Sequence, residues 1–548
     1  MNIDPRHGAA LLIACAVVSA IVRRPTTSLE RDVVGLPWWV WTIPAGGLAF
    51  AVGWLLPNPP LDEDDWYFFA IGRWLSTHTT DWDALGRLFS EYGNHREPIW
   101  RPVTNLWFGL EYWAFGTAWW AWRLMTALLH VVTALLVAVL GRRLHLSTLA
   151  TRLAAALYLV HPSFAETISW INAQETQLMV ILSLLAVIVL ARGHRLVLGG
   201  VLTAIAGLSK EQGIVVAGLL VIVLLFEGGW RRLRSGWAPV LVSGTVAAAL
   251  LGFRFFVLRE PGNVMHVEYL EHFASALKLD TVLSASWGLV VLTVVPTVAG
   301  LGWVFGLGTG AVAGLWAGIA LMRPVGEPQF RRLSIFALAW LFVAASPALA
   351  DMLLPTLGHA AGVTPDWNLR HLNVALVGPA LFGGTVLDRV LGVGSRATRL
   401  ALVAAVLAVS TLILIAHCRP YAVIGARLIA ATLLFTGEWP ANRALRVVEP
   451  RDTIAAAARF RAFSTPLSAV PLLVGEPRCG CARVATAPDM AQLPSLRSLS
   501  EAFYAVHEDI ESIPEVGGAC LCPRWRADAE FVRFDGEEEG PFRVVLDR

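Results

Sequence analysis

The sequence predicts an all-α polytopic membrane protein of about 11–13 spans, counting roughly 17–25 apolar residues to a crossing, with a large first extracytoplasmic loop and a small soluble C-terminal domain. Three observations predict it. Of the 548 residues, 56% are hydrophobic and only 15% are charged, against roughly 25% charged in soluble domains. Apolar stretches recur up to about residue 417, and the chain carries 23 Trp, a residue that collects at membrane–water interfaces. After that point the composition turns polar. A net charge of +2 gives no electrostatic basis for binding nucleic acid.

The apolar stretches fall at about 8–22, 36–56, 119–140, 150–161, 175–191, 196–208, 213–226, 237–257, 282–321, 333–350, 371–387 and 400–417. Residues 1–35 read as an N-terminal anchor and a cytoplasmic loop. The 8–22 stretch lacks a small-x-small exit and runs into Arg23-Arg24, which favours a retained anchor over a cleaved signal peptide. Residues 36–417 read as one membrane domain, with residues 57–118 as its first outer loop. The 282–321 stretch is too long for one crossing, and Pro296 with the surrounding glycines predicts a broken helix followed by a full span. Residues 418–548 form a polar extracytoplasmic domain with charge runs such as Asp535-Gly536-Glu537-Glu538-Glu539.

Arginine sorts the loops. One alternating set carries Arg23, Arg24 and Arg31; Arg142 and Arg143; Arg192 and Arg195; Arg231, Arg232 and Arg234; Arg323, Arg331 and Arg332; and Arg389, Arg396 and Arg399. The other set carries acids: Asp62 to Asp65, Glu91, Glu97, Glu166, Glu175, Glu211, Glu268, Glu271, Asp351 and Asp366. The positive-inside rule makes the arginine set cytoplasmic and the acidic set extracytoplasmic. In a bacterium the host membrane would be the cell inner membrane.

Ionisable groups beside lipid are costly and are functional candidates by default. The pair Asp64-Asp65 follows the 36–56 stretch, and adjacent carboxylates do not both ionise easily, which suits one of them to proton transfer. Asp62 and Glu63 read as solvated bystanders. Arg101, His161, Glu166, Lys210, Glu211 and Arg370 join the pair on the outer face. Each has a structural reading as well. His130 alone is a hydrogen-bonded core histidine, His161-Pro162 a helix stop, Lys210-Glu211 a self-neutralising pair, and Arg254 and Arg370 snorkelling side chains. Convergence of both signs on one face favours chemistry. A carboxylate beside a hydroxyl acceptor, with arginine and lysine nearby to hold a departing phosphate, fits sugar transfer from a polyprenyl-phosphate donor.

The tail holds Cys479, Cys481, Cys520 and Cys522 as two C-x-C motifs. In an oxidising space these are disulfide candidates with three possible pairings. The spacing fits zinc less well than C-x2-C does. Cys15 reads as packing. Adjacent acids could also hold a divalent cation, since hard cations favour oxygen ligands, so metal use stays open.

In order along the chain come Asp64-Asp65, Trp100-Arg101-Pro102-Val103-Thr104, Leu128-Leu129-His130, His161-Pro162-Ser163-Phe164-Ala165-Glu166-Thr167-Ile168-Ser169-Trp170 and Leu208-Ser209-Lys210-Glu211-Gln212-Gly213. This order resembles the membrane part of the transmembrane and tetratricopeptide O-mannosyltransferases and their bacterial relatives, in the C-type glycosyltransferase superfamily, over about residues 36–385. The resemblance implies a dolichyl- or polyprenyl-phosphate sugar as co-substrate and inverting transfer on the outer face. It makes Asp64 the base, with Asp65 supporting it. It gives His161, Glu166, Lys210 and Glu211 site-shaping or phosphate contacts, and Arg370 a hold on the donor phosphate. Two departures stand out. Leu369-Arg370-His371-Leu372 lacks the family's preceding Glu, and the tetratricopeptide repeats are replaced by the cysteine-bearing tail. The acceptor therefore stays open among protein, lipid and glycan. Rival readings are a flippase or transporter, which would show symmetric halves, a polymerase for lipid-linked sugars, and a scaffold for the tail.

Overall fold

In the computed structural model, the described residues are 39–56, 63–78, 82–90, 100–116, 118–257, 328–353, 373–393, 397–398, 400–416, 418, 445–448, 530–535 and 543–547. They are helical up to residue 418. The helices are α1 (Trp39–Leu55), α2 (Glu63–Thr77), α3 (Trp82–Ser90), α4 (Pro102–Phe115), α5 (Trp119–Arg143), α6 (Thr148–Leu159), α7 (Ala165–Ser169), α8 (Gln174–Leu190), α9 (Leu196–Ser209), α10 (Val216–Ser235), α11 (Trp237–Gly252), α12 (Pro328–Leu353), α13 (Val377–Val393) and α14 (Leu400–Ala416). These helices reproduce most of the expected apolar stretches. The 8–22 and 282–321 stretches lie outside the described residues.

Several of the apolar helices are shorter than a full crossing. Among the described residues, two are long and apolar enough to cross a membrane, Trp119–Arg143 and Glu211–Ser235. A third crossing is the pair Pro162–Ser169 and Gln174–Leu190, if its 116° bend belongs to one span. Val40–Leu55, Thr148–Leu159, Leu196–Ser209, Trp237–Gly252 and Leu400–Ala416 are shorter apolar helices.

Contacts divide the chain into two units. One comprises Met1–Ala51, Thr126–Ile168 and Ala173–His417; the other comprises Val52–Met125, Ser169–Asn172 and Cys418–Arg548.

Within the first unit, the two ends of the helical layer differ. At one end Arg143 Nη2 and Arg232 Nη2 both donate to the carbonyl of Ala191, at 3.0 and 2.9 Å. That carbonyl lies just past the last turn of α8, where backbone oxygens lack intrahelical partners. Glu227 bridges the same arginines, 2.9 Å from Arg143 and 3.4 Å from Arg232. The C-terminal ends of α5, α8 and α10 therefore meet, bringing three of the arginine-bearing loops together. The α12 helix runs antiparallel to α10, Phe336 meeting Phe226 and Val343 facing Gly218. Its Arg331 and Arg332 share that end. Ser147, which caps α6, donates to Asp388 of α13 at 2.5 Å.

The second unit packs α2 across α4. Gly72 permits it: a Cβ there would lie 2.7 Å from the Phe108 carbonyl oxygen and 2.9 Å from the Tyr112 Cβ. Around the crossing Phe68 stacks on Phe108 at 4.6 Å, and Phe69 meets Tyr112, Trp119 and Trp122 at 5.1 to 5.4 Å. Trp74 and Trp122 are fully buried there, and each large aromatic carries more packing area than any aliphatic side chain.

The same unit holds three strands that the sequence reading did not assign: β1 (Leu445–Val448), β2 (Glu530–Asp535) and β3 (Arg543–Asp547). They form a sheet in the order β1-β2-β3, with β1 parallel and β3 antiparallel to β2. The register pairs Val447 with Val532 and Phe534 with Val544.

Candidate functional site

The expected outer-face residues fall at helix breaks, where backbone groups need partners. In the first unit, α6 ends at Leu159. Its carbonyl, without an intrahelical partner, accepts from His130 Nε2 at 3.0 Å. His130 lies between Tyr158 and Phe164, so its structural reading holds. His161 caps the 3₁₀ turn Pro162–Phe164, its Nδ1 accepting from the Ser163 N–H at 3.3 Å. Pro162 has no N–H to offer and suits the first position of that turn. His161-Pro162 is thus a helix stop built around an accepting imidazole nitrogen.

Glu166 lies in the first turn of α7 and is buried. Its neighbour Thr167 exchanges hydrogen bonds with the Asn373 side chain at 3.0 and 3.3 Å. Asn373 also accepts through its carbonyl from the Tyr158 hydroxyl at 3.0 Å. These bonds tie α6 and α7 to the chain just beyond Arg370, which itself lies outside the described residues.

Lys210 corrects the sequence reading. It ends α9, and its ammonium lies 2.6 Å from Glu175 Oε1 and 2.8 Å from Thr176 Oγ1. The Lys210 and Glu175 side chains are 1% and 3% exposed. Glu211 turns instead to Arg254, 3.7 Å away in the π-turn Phe253–Val257, both side chains partly exposed. Lys210 and Glu211 therefore serve two different acid–base pairs and do not neutralise each other. The reason is geometric. Lys210 stands in extended conformation between α9 and the turn Glu211–Val215, so its side chain and that of Glu211 leave the backbone on different sides. Arg254 is an ion-pair partner rather than a snorkelling side chain. Beside the Lys210 pair, Gln174 donates to Thr126 at 3.1 Å.

The start of α8, the end of α9, the start of α10 and the end of α11 thus gather at the end of the unit away from Glu227. Glu175 stood in the sequence only as one outer acid among many. Its position in the first turn of α8, where a helix favours anions, was the available signal for a structural partner.

In the second unit, Arg101 precedes α4 and its carbonyl accepts from the Asn105 N–H at 3.0 Å. Arg123, which the sequence reading passed over, is fully buried and donates to the Ser169 carbonyl. A lone arginine inside the apolar 119–140 stretch was its signal. Burial pushes the Tyr112 phenol up, and the Arg73 guanidinium draws it part of the way back. Asp64 and Asp65 belong to the first turn of α2; their side chains lie outside the described residues. Cys479, Cys481, Cys520 and Cys522 also lie outside them. The described cysteine, Cys418, has a buried free thiol. Among the described residues no three His, Cys, Asp or Glu side chains cluster as a metal site.

Apolar helices broken at buried polar residues define the class: a mostly helical protein, its apolar helices consistent with a membrane, with a polar station at one end of its first unit. Residues 101–253, which carry most of that station, match the family model of dolichyl-phosphate-mannose-protein mannosyltransferases. A protein O-mannosyl-transferase of Caenorhabditis elegans is 30% identical over 145 residues, 26% of this chain and 21% of that protein. The chain thus spans about a fifth of that relative's length. The resemblance read from the motifs stands, over a shorter stretch than about 36–385. Among solved structures, the oligosaccharyltransferase of Archaeoglobus fulgidus in its apo form aligns with a TM-score of 0.39 and 14% identity, over 85% of this chain and 68% of that one. The complex of that organism's AglB with an inhibitory peptide and a dolichol-phosphate gives 0.35 and 14%, over 90% and 69%. TM-scores this low carry no argument, and the resemblance rests on the sequence match over residues 101–253.

Proposed function

We propose that this chain is a membrane glycosyltransferase of the C type that moves a sugar from a polyprenyl- or dolichyl-phosphate donor to a hydroxyl acceptor on the extracytoplasmic face. The family match over residues 101–253 carries the reading. It covers Arg101, His161, Glu166, Lys210 and Glu211, and it covers Arg123 and Glu175, which chemistry alone would not have singled out.

In this reading Asp64 takes the proton from the acceptor hydroxyl. The acceptor oxygen bonds to the anomeric carbon as the bond from that carbon to the phosphate oxygen breaks. The polyprenyl phosphate leaves with the electron pair, and the configuration inverts. Asp65 orients the acceptor or its base. Arg370 and Arg101 hold the leaving phosphate, a task that suits the guanidinium fork. Asn373, three positions beyond Arg370 in the sequence, is bonded to Thr167 and Tyr158. Lys210 and Glu175 already hold each other, so Lys210 is a positioning residue that fixes the start of α8 against the end of α9. His161 and Glu166 shape the turn between α6 and α8.

The test is reconstitution in liposomes with a polyprenyl-phosphate sugar, following donor consumption. Asp64→Asn should lower turnover by about 10²–10⁴-fold, the usual contribution of a general base, with folding intact. Full transfer by both Asp64→Asn and Asp65→Asn would remove the acid pair from the mechanism.

A further inference from the structure

The arginine-bearing end of the first unit carries a surface that the proposed reaction does not use. The α10 helix is broken at Gly228 and Gly229, and Gly229 takes φ 60° and ψ −151°, a conformation open to glycine and strained for any other residue. Past this break the chain reads Trp230-Arg231-Arg232-Leu233-Arg234-Ser235-Gly236-Trp237. Trp230 and Trp237 bracket the segment, 60% and 61% exposed. Arg231 and Arg234 are exposed, and the Arg234 guanidinium lies 5.8 Å over the Trp230 ring.

Neighbouring loops add to it. Arg143 and Arg232 share the Ala191 carbonyl, which fixes Arg142, Arg192 and Arg195 around the same point. Those three arginines are exposed. The Glu227 carboxylate already bridges Arg143 and Arg232, so it does not neutralise the exposed set. The arginines give bidentate phosphate contacts, and the tryptophans fix the depth of the segment at headgroup level.

We propose that this segment, with Arg192 and Arg195, is a binding site for an anionic glycerophospholipid. The phosphodiester sits among Arg192, Arg195, Arg231 and Arg234, and the acyl chains lie along α10 beside Trp230 and Trp237. Charge complementarity selects the occupant: a zwitterionic headgroup carries its own cation and loses most of the attraction that basic clusters gain from anionic lipids.

Native mass spectrometry of the full-length protein, delipidated in detergent and titrated with phosphatidylglycerol or phosphatidylcholine, tests the proposal. The wild type should retain phosphatidylglycerol about tenfold more tightly, a preference of the size a few interfacial arginines supply. The quadruple variant R192Q/R195Q/R231Q/R234Q should lose that preference. The matching lysine variant should keep part of it and controls for folding. Inorganic phosphate at millimolar concentration should leave lipid retention unchanged; displacement would assign the site to free phosphate and overturn the proposal. Equal retention of the two lipids by the wild type would also overturn it and leave the arginines a purely topological role, as would a preference that survives in the glutamine variant. None of these readouts involves sugar transfer, so they stand or fall separately from the acid-pair mechanism.

Discussion

Breaking the Lys210–Glu175 pair should cost far more than any other single ion-pair change in the first unit. The two charges lie 2.6 Å apart with side chains 1% and 3% exposed, a gross attraction of about 6 kcal/mol at an effective dielectric constant near 20. Desolvation of both ions consumes most of that, so the intact pair contributes little net stability. Removing one partner is a different perturbation, because it leaves a buried charge alone, and such losses run to about 3–5 kcal/mol. Lys210→Met and Glu175→Gln should each lower the thermal midpoint sharply, read by fluorescence-detected size exclusion after heating. Thr176 should amplify the lysine defect, since its hydroxyl also loses a donor at 2.8 Å. The double variant Lys210→Met/Glu175→Leu replaces the pair by apolar groups of similar volume and should recover most of the loss, giving, with Glu175→Leu measured as the second single variant, a coupling of at least about 2 kcal/mol in the cycle. Additive single effects, with the double variant the least stable of the three, would refute the reasoning and mean that each residue acts through a different partner.

Four further outcomes follow from the geometry. Gly72→Ala should destabilise the second unit by about 1–3 kcal/mol, as overpacking does, because its Cβ would press on backbone at 2.7 Å. Gly86→Ala, with open space around it, should instead gain about 0.5–1 kcal/mol from helix propensity; the same heating assay reads both. Glu227→Gln should cost about 1 kcal/mol or less, since a partly exposed bridge contributes little and both arginines keep the Ala191 carbonyl. His130→Leu should cost about 1–3 kcal/mol by leaving the Leu159 carbonyl without its donor.

Most of the helix positions were legible because each apolar run ends at a residue with a physical reason to end it. The α6 helix stops before His161-Pro162 and α9 at Ser209-Lys210. The partners of the polar residues were not legible, because the pairings are long-range: Lys210 reaches back to Glu175, and Thr167 reaches forward to Asn373. Local reading favoured Glu211 for Lys210 by adjacency alone. The tail strands had a signal that was missed. Phe531-Val532-Arg533-Phe534-Asp535 and Arg543-Val544-Val545-Leu546-Asp547 are rich in the β-branched and aromatic residues that fit a pleated surface, and Asp535-Gly536 between them is a turn signal.

The polar station and the short helices are two sides of one constraint. The α6 helix has 12 residues and α9 has 14, so each covers about 18 to 21 Å at 1.5 Å per residue, short of the roughly 30 Å hydrocarbon core. In a bilayer the remaining depth would have to be crossed by turns, and non-helical backbone survives at membrane depth only where protein satisfies it. That is what the polar residues do here. His130 fills the last carbonyl of α6, His161 caps the following turn, and Lys210 locks the end of α9 to the start of α8. In a chain of uninterrupted spans these side chains would carry only desolvation cost. The broken helices repay that cost and hold charged and hydrogen-bonding groups at fixed positions at one end of the unit, as the proposed sugar transfer would require. A variant that lengthens α9 by replacing Ser209-Lys210 with Leu-Leu should therefore lose donor turnover even where it still inserts. Retained turnover in such a variant would show that the break serves folding alone.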